Sequence, residues 1–140
     1  MKKLYLLIFG IILSFICINN VDAATANISV SASKSRVIVG DTVNITIRLS
    51  SSANIGSWDF NVIPSSNLTL IERSDGYDGL KVADAGGAST KSKTYTFTFR
   101  AKSSGTGSVK ISVNEIYEMT NDDSTPKMQV TTNSTSFTVM

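Results

Sequence analysis

Oxygen-rich turns are the first feature of this sequence with chemical potential. Asp75, Asp78 and Asp84 flank a glycine-rich run, Asp75-Gly76-Tyr77-Asp78-Gly79, and Asn121-Asp122-Asp123 forms a second cluster. Calcium favours several oxygen ligands on a bent loop, so Asp75, Asp78, Asn121, Asp122 and Asp123 are candidate ligands for a weak calcium site. Neither run has the EF-hand order, with Gly at the sixth position and Glu at the twelfth. Asp and Gly in such runs are more often solvated turn residues, and no other cofactor is expected. Two aromatics are candidates for ligand contact: Tyr77 inside the glycine-rich run and Tyr117 beside Glu118. A flat ring covers the apolar face of a sugar, and its hydroxyl adds a polar handle. Trp58 shares parity with Phe60 and Val62, which assigns it to the interior.

Catalytic constellations are poor by comparison. The 140 residues contain no histidine, so the commonest general base and zinc ligand are missing. Without it the Ser-His-Asp triad has no base. Glycoside hydrolysis needs two facing carboxyl groups, and Glu72, Glu115 and Glu118, the only glutamates, sit in no recognisable catalytic motif. The expectation is a protein that binds and does not catalyse.

Charge and cysteine content narrow the partners. Thirteen Lys and Arg oppose eleven Asp and Glu, a balance too even for nucleic acid, which calls for a concentrated basic excess. The single cysteine, Cys17, excludes an intrachain disulfide and a thiolate metal cluster.

That cysteine lies in a segment that reads as an address. Lys2 and Lys3 precede an apolar run from Leu4 to Ile18, followed by Val21-Asp22-Ala23. A basic head, a greasy middle and small residues three apart make a secretory signal peptide. The greasy stretch is shorter than the roughly 20 residues of a membrane-spanning helix. Residues 1–23 are therefore expected to be the signal peptide, with residues 24–140 as a single domain. Removal takes Lys2, Lys3 and Asp22 with it and leaves a nearly neutral product, expected outside the cell with no membrane association.

The elements that must carry the candidate residues alternate with period two. Thr42 to Ser50 places Val43, Ile45, Ile47 and Leu49 on one face, and Thr94 to Lys102 does the same with Tyr95, Phe97, Phe99 and Ala101. Trp58-Phe60-Val62 and Val109-Ile111-Val113 repeat the pattern, with fainter versions at Ile28-Val30-Ala32, Val37-Val39 and Phe137-Val139. Successive strand side chains point to opposite faces, so each run has one dry and one wet side. Leu68 to Glu72 reads as a short strand, and at most one helical turn belongs near Tyr77 to Ala85. Gly40-Asp41, Ser51 to Asn54, Pro64 to Asn67, Gly76 to Gly79, Ala85 to Ala88 and Ser103 to Gly107 carry turn chemistry. Short strands at this spacing predict an all-β fold, a two-sheet antiparallel β-sandwich. Lys34, Arg36, Pro126 and Lys127 fall where they would guard sheet edges against pairing with other chains.

Several of these stretches resemble a known family. Ser33 to Leu49 (SKSRVIVGDTVNITIRL) is similar to the opening hairpin of cohesin-like domains and of the wider bacterial carbohydrate-binding sandwich superfamily. Ile55 to Val62 with Pro64 and Leu68-Thr69-Leu70 resembles their second block, although Val62-Ile63 stand where Tyr-Asp is usual. Tyr95 to Ile111 (YTFTFRAKSSGTGSVKI) resembles the later F-x-F-K-A-K-x-x-G segment, and Ser136 to Val139 the closing strand. The resemblance implies a cohesin-like jelly roll and a secreted, non-catalytic binding or scaffolding module at the bacterial cell exterior. It further implies a polysaccharide or a dockerin-like protein as partner, bound in cohesins through polar residues on one sheet face. The alternatives are an immunoglobulin-like spacer of a surface stalk and, less favoured, a small secreted hydrolase.

Overall fold

The alternating runs become nine strands in a computed structural model that describes residues 24–84, 90–120 and 126–140. These are β1 (Thr25–Ala32), β2 (Arg36–Val37), β3 (Thr42–Pro64), β4 (Leu68–Arg73), β5 (Lys81–Asp84), β6 (Thr90–Ala101), β7 (Gly105–Glu118), β8 (Gln129–Thr132) and β9 (Thr135–Val139). The signal-peptide expectation for residues 1–23 lies outside the described residues. Among the latter, no helix is long and apolar enough to cross a membrane.

Hydrogen bonding joins the strands into one curled sheet that doubles over at β3. The first half of β3 pairs with β1 and β6, and β6 with β4, so one leaf runs β8-β1-β3-β6-β4. The second half of β3 pairs with β5 and β7, and the other leaf runs β2-β9-β7-β3-β5. The two dry faces meet as a single core, in which Ile45, Ile47, Leu49, Phe60, Phe97 and Phe99 are wholly shielded. Phe60 of one leaf meets Tyr95 of the other edge to face, with centroids 6.3 Å apart and planes at 72°, a preferred aromatic geometry. Beneath them the Trp58 indole N–H donates to the Tyr95 hydroxyl at 2.8 Å.

Four features depart from the sequence reading. Ser51 to Asn54 is not a chain reversal: β3 continues through it while its register to β6 shifts between Ser50 and Ile55. The serines serve the bend instead of a turn. Ser52 Oγ accepts from Thr25 N at 3.1 Å, and Ser51 Oγ accepts from Ala53 N at 3.1 Å, which supplies partners where the ladder changes hands. Next, the helical turn anticipated near Tyr77 to Ala85 is absent from residues 77–84; Lys81–Asp84 forms β5, because Val82 must reach the core opposite Phe60. The sheets are also not purely antiparallel. The chain crosses after β7 to the far edge of the first leaf and then returns, so β8 runs parallel to β1 and β9 parallel to β2. Lastly, Val39 is 43 % exposed, since β2 ends at Val37.

The edge residues find mixed employment. Arg36 lies on the edge strand β2. Lys34 Nζ donates to the Thr42 carbonyl at 3.2 Å, and Lys127 bridges to Tyr117 beside the end of β7.

Candidate functional site

The wet face of the β7-β3-β5 leaf carries the most organised set of polar side chains. Trp58, Phe60 and Val62 point inward, so Ser57, Asp59, Asn61 and Ile63 point out. On β7 the parity changes midway. Phe60 stands opposite Val113 but Asp59 opposite Glu115, leaving Asn114 as the extra residue of a bulge. Bulges re-aim the side chains around them. Here the bulge brings the Asn114 amide to donate to Asp59 Oδ1 at 2.9 Å, and it turns Ile116, not Glu115, into the core.

Asp59 is the hub of this face. Lys81 on β5 approaches Asp59 Oδ2 at 3.3 Å. The Asn114 amide, opposed by slight burial and aided by the Lys81 ammonium, holds the Asp59 carboxyl below its ordinary value. One strand over, the Tyr117 hydroxyl donates to Glu115 Oε2 at 2.9 Å, and that carboxylate raises the phenol. An exposed ion pair such as Lys81–Asp59 adds little stability. What the network does is fix the orientation of acceptor and donor groups across three strands. A depression of about 160 Å³ between Asp59, Glu115, Ala83 and Asp84 lies beside it.

The sequence candidates fall in different places. Tyr117 belongs to this face. Tyr77 sits in the β4–β5 turn, 73 % exposed, and lines a separate cleft with Asp75, Asp84, Lys93 and Tyr95. The two depressions share Ala83 and Asp84, but the tyrosines do not meet in one pocket. Asp75 is already engaged: Arg73 donates to both of its oxygens, at 2.9 and 2.5 Å, and Tyr77 N donates to Oδ1 at 3.2 Å. Asp78 is exposed. Asn121, Asp122 and Asp123 lie outside the described residues. Among the described residues no three His, Cys, Asp or Glu side chains gather as a metal site would need.

Larger depressions, of about 440 and 420 Å³, lie along the other leaf. They are lined mainly by Ser, Thr and Asn, several of which bond one another, as Thr98 Oγ1 does to Asn44 at 2.9 Å and Thr131 Oγ1 to Asn27 at 3.0 Å. Size favours these hollows, yet they offer no ring, and only the larger holds charged side chains, Glu72 and the Arg73 already committed to Asp75, so the smaller Asp59 depression is the better candidate.

Two features of the site escaped the sequence reading. Asp59 and Asn114 look like ordinary outward strand residues, and only the bulge joins them. Arg73 closes a strand of alternating type, but its side chain is 2 % exposed.

Comparison with known proteins places the fold. No protein-family model matches the sequence, and no curated protein matches it. Solved structures do. The seventh type I cohesin of ScaB from Pseudobacteroides cellulosolvens is similar at a TM-score of 0.62 and 16 % identity, over 82 % of this chain and 92 % of that one. A non-cellulosomal cohesin from Archaeoglobus fulgidus is similar at 0.62 and 16 %, over 83 % and 91 %. A chain of a type I cohesin–dockerin complex from Clostridium thermocellum is similar at 0.52 and 14 %, over 84 % and 93 %. The chain has a cohesin-like β-sandwich fold.

Proposed function

We propose that the protein is an exported, non-catalytic binding module that takes a dockerin-like protein on the wet face of its β7-β3-β5 leaf. The observation that carries this reading is the cross-strand network of Lys81, Asp59, Asn114, Glu115 and Tyr117 on a cohesin-like sandwich. Two of the similar structures are described as cohesin–dockerin complexes, which supports a protein partner of that kind. Export rests on Lys2, Lys3, the apolar run from Leu4 to Ile18 and Ala23, which together have the form of a cleavable leader. A non-catalytic role is supported by the missing histidine and by glutamates outside any catalytic motif. A face whose donors and acceptors are already oriented loses less freedom on binding, so more of the contact energy becomes affinity. Tyr117 supplies the aromatic that interface centres favour. A glycan, the other partner class expected from the sequence, finds its aromatic anchor elsewhere, at Tyr77.

The test is direct binding of the purified protein to a panel of purified dockerins. One dockerin class should bind, and Asp59→Ala or Tyr117→Ala should each weaken it about tenfold, as truncating a central contact does. Arg48→Ala on the opposite leaf should leave it unchanged. Background signal across the panel would favour the immunoglobulin-like spacer.

A further inference from the structure

The end of the sandwich where β2 leads into β3 exposes apolar side chains that the core does not use. Ile38 is 61 % exposed, Val39 43 % and Met140 55 %. Backbone bonds make them neighbours. Val39 N donates to the Met140 carbonyl at 3.0 Å and Met140 N to the Val37 carbonyl at 2.9 Å, which carries the parallel β2–β9 pairing one residue on and sets Met140 opposite Ile38. Ile38-Val39-Gly40-Asp41 is a β-turn closed by Asp41 N on the Ile38 carbonyl at 2.9 Å, with Gly40 at φ 95°, the positive value that the third position of such a turn calls for. The turn is pinned to the end of β6, where Gly40 N donates to the Ala101 carbonyl at 2.8 Å and Ala101 N to the Asp41 carbonyl at 2.9 Å. The apolar groups therefore stand on a firm corner.

Cations ring that corner. Arg36 precedes Ile38 by two residues and shares its side of β2. Lys34 Nζ reaches the Thr42 carbonyl, one residue past the turn. Arg100 pairs with Thr42 in register, and Lys102 follows the Ala101 that holds the turn. All four are exposed, and the ion pairs Arg73–Asp75 and Lys81–Asp59 involve none of them. Asp41 belongs to the turn itself, and Glu72 lies deeper along the leaf, opposite Thr98. Even with a terminal carboxylate at Met140 counted beside Asp41, four cations leave the corner positive.

Shape and charge decide what such a corner can meet. None of the four depressions described above is lined by Ile38, Val39 or Met140. A rigid protein partner would have to bring a hollow that fits the turn, whereas a lipid headgroup layer deforms around projecting apolar groups. A second copy of this chain is disfavoured, because a two-fold contact through the corner sets like charges against each other.

We propose that this corner is a peripheral docking site for an anionic lipid surface. Ile38, Val39 and Met140 enter the headgroup layer, and Lys34, Arg36, Arg100 and Lys102 face the lipid phosphates. Shallow apolar insertion and attraction to anionic lipid act together and give reversible attachment. Such contact needs no spanning segment, and it lies apart from the Asp59 network, so dockerin binding and lipid binding are separable.

The test uses residues 24–140, which contain all nine strands and the described core, so that the apolar run from Leu4 to Ile18 cannot itself bind lipid. Flotation with vesicles of phosphatidylcholine alone, and of phosphatidylcholine and phosphatidylglycerol in equal parts, reads partitioning. The mixed vesicles should carry the protein, pure phosphatidylcholine should not, and about 0.5 M salt should release it. Arg100→Gln or Lys102→Gln should each weaken partitioning about fivefold, and Ile38→Ser about tenfold. Arg48→Gln, which removes the same charge from the middle of the β8-β1-β3-β6-β4 leaf, should leave it unchanged. Equal binding to both vesicles, binding to neither, or unchanged partitioning in Ile38→Ser would each overturn the assignment. So would a polyglutamate peptide that binds more tightly than the mixed vesicles, which would make the partner an acidic polypeptide, or a sedimenting dimer that Ile38→Ser dissolves.

Discussion

Replacing Asp75 by Asn tests whether Arg73, whose Nη1 also donates to the Gly79 and Lys81 carbonyls at 3.0 and 2.7 Å, builds the β4–β5 turn. The change keeps the shape of the side chain and an oxygen for the Tyr77 N–H, but removes the charge facing a guanidinium that is 2 % exposed. Two bonds between ionised partners, at 2.9 and 2.5 Å, become at most one, from the guanidinium to a neutral amide oxygen. Losing one partner of a buried ion pair costs about 3–5 kcal/mol. The Asp75 side chain is itself 17 % exposed and the Asn oxygen remains, so about 2 kcal/mol is expected, set by the roughly 1.5–3 kcal/mol of a charged hydrogen bond. For a domain of this size that lowers Tm by roughly 5–10 °C.

The loss should also depend on pH. Burial pushes the Asp75 carboxyl up, but the Arg73 hydrogen bond, the Tyr77 N–H and the Arg73 charge outweigh it and hold the carboxyl below its ordinary value. A group depressed in the folded state stabilises fully above its unfolded pKa, about 4, and loses that contribution as pH falls through the folded pKa. Urea unfolding of the wild type and the Asp75→Asn variant, at neutral pH and below about pH 3, measures both effects. The gap should be wide at neutral pH and close in acid. A gap under about 0.5 kcal/mol at neutral pH, the usual scatter of surface changes, would refute the structural role of the pair.

Two further substitutions probe the core. A Cβ on Gly107 would lie 2.4 Å from Phe137 Cε2, so Gly107→Ala should cost about 1–3 kcal/mol by overpacking, and chemical denaturation showing no loss would mean that β9 can shift aside. Tyr95→Phe leaves the buried Trp58 N–H without its acceptor; about 1–3 kcal/mol should be lost and Trp58 emission should move, whereas unchanged emission would place that bond in doubt.

Period-two runs made most of the strands legible, because a strand with one buried face has no freedom in which residues it hides. Val43 to Leu49 and Tyr95 to Ala101 are buried as the pattern requires. Legibility ended where the backbone departs from ideal pairing. Ser51 to Asn54 has the composition of a turn, and only the two sets of partners along β3 reveal a bend within a strand. Ile116 is out of phase with Val109 and Ile111, since the extra residue at Asn114 resets the alternation. The parallel edge pairs depend on where the chain crosses between leaves, which no local pattern encodes. For the candidate site, Tyr117 and Tyr77 could be picked out by residue type alone. Asp59 and Arg73 could not, because their roles arise from contacts with Asn114, Lys81 and the carbonyls of a distant turn.

The two outer faces of the curled sheet divide the polar chemistry of the chain between them. On the β8-β1-β3-β6-β4 leaf, hydroxyls and amides such as Thr98 and Asn44 or Thr131 and Asn27 satisfy each other across strands. A partner docking there would have to break such neutral bonds and replace them, with a net gain of only about 1 kcal/mol for each new one. On the β7-β3-β5 leaf the corresponding bonds hold charged groups in place: Asn114 and Lys81 orient Asp59, and Tyr117 orients Glu115. Each of those carboxylates has lone pairs beyond the ones already used, so a partner can add charge-assisted bonds without dismantling what is there. The proposed recognition is therefore favoured on the β7-β3-β5 leaf, where the bulge at Asn114 brings these groups together, over a leaf whose hydroxyls and amides largely satisfy one another.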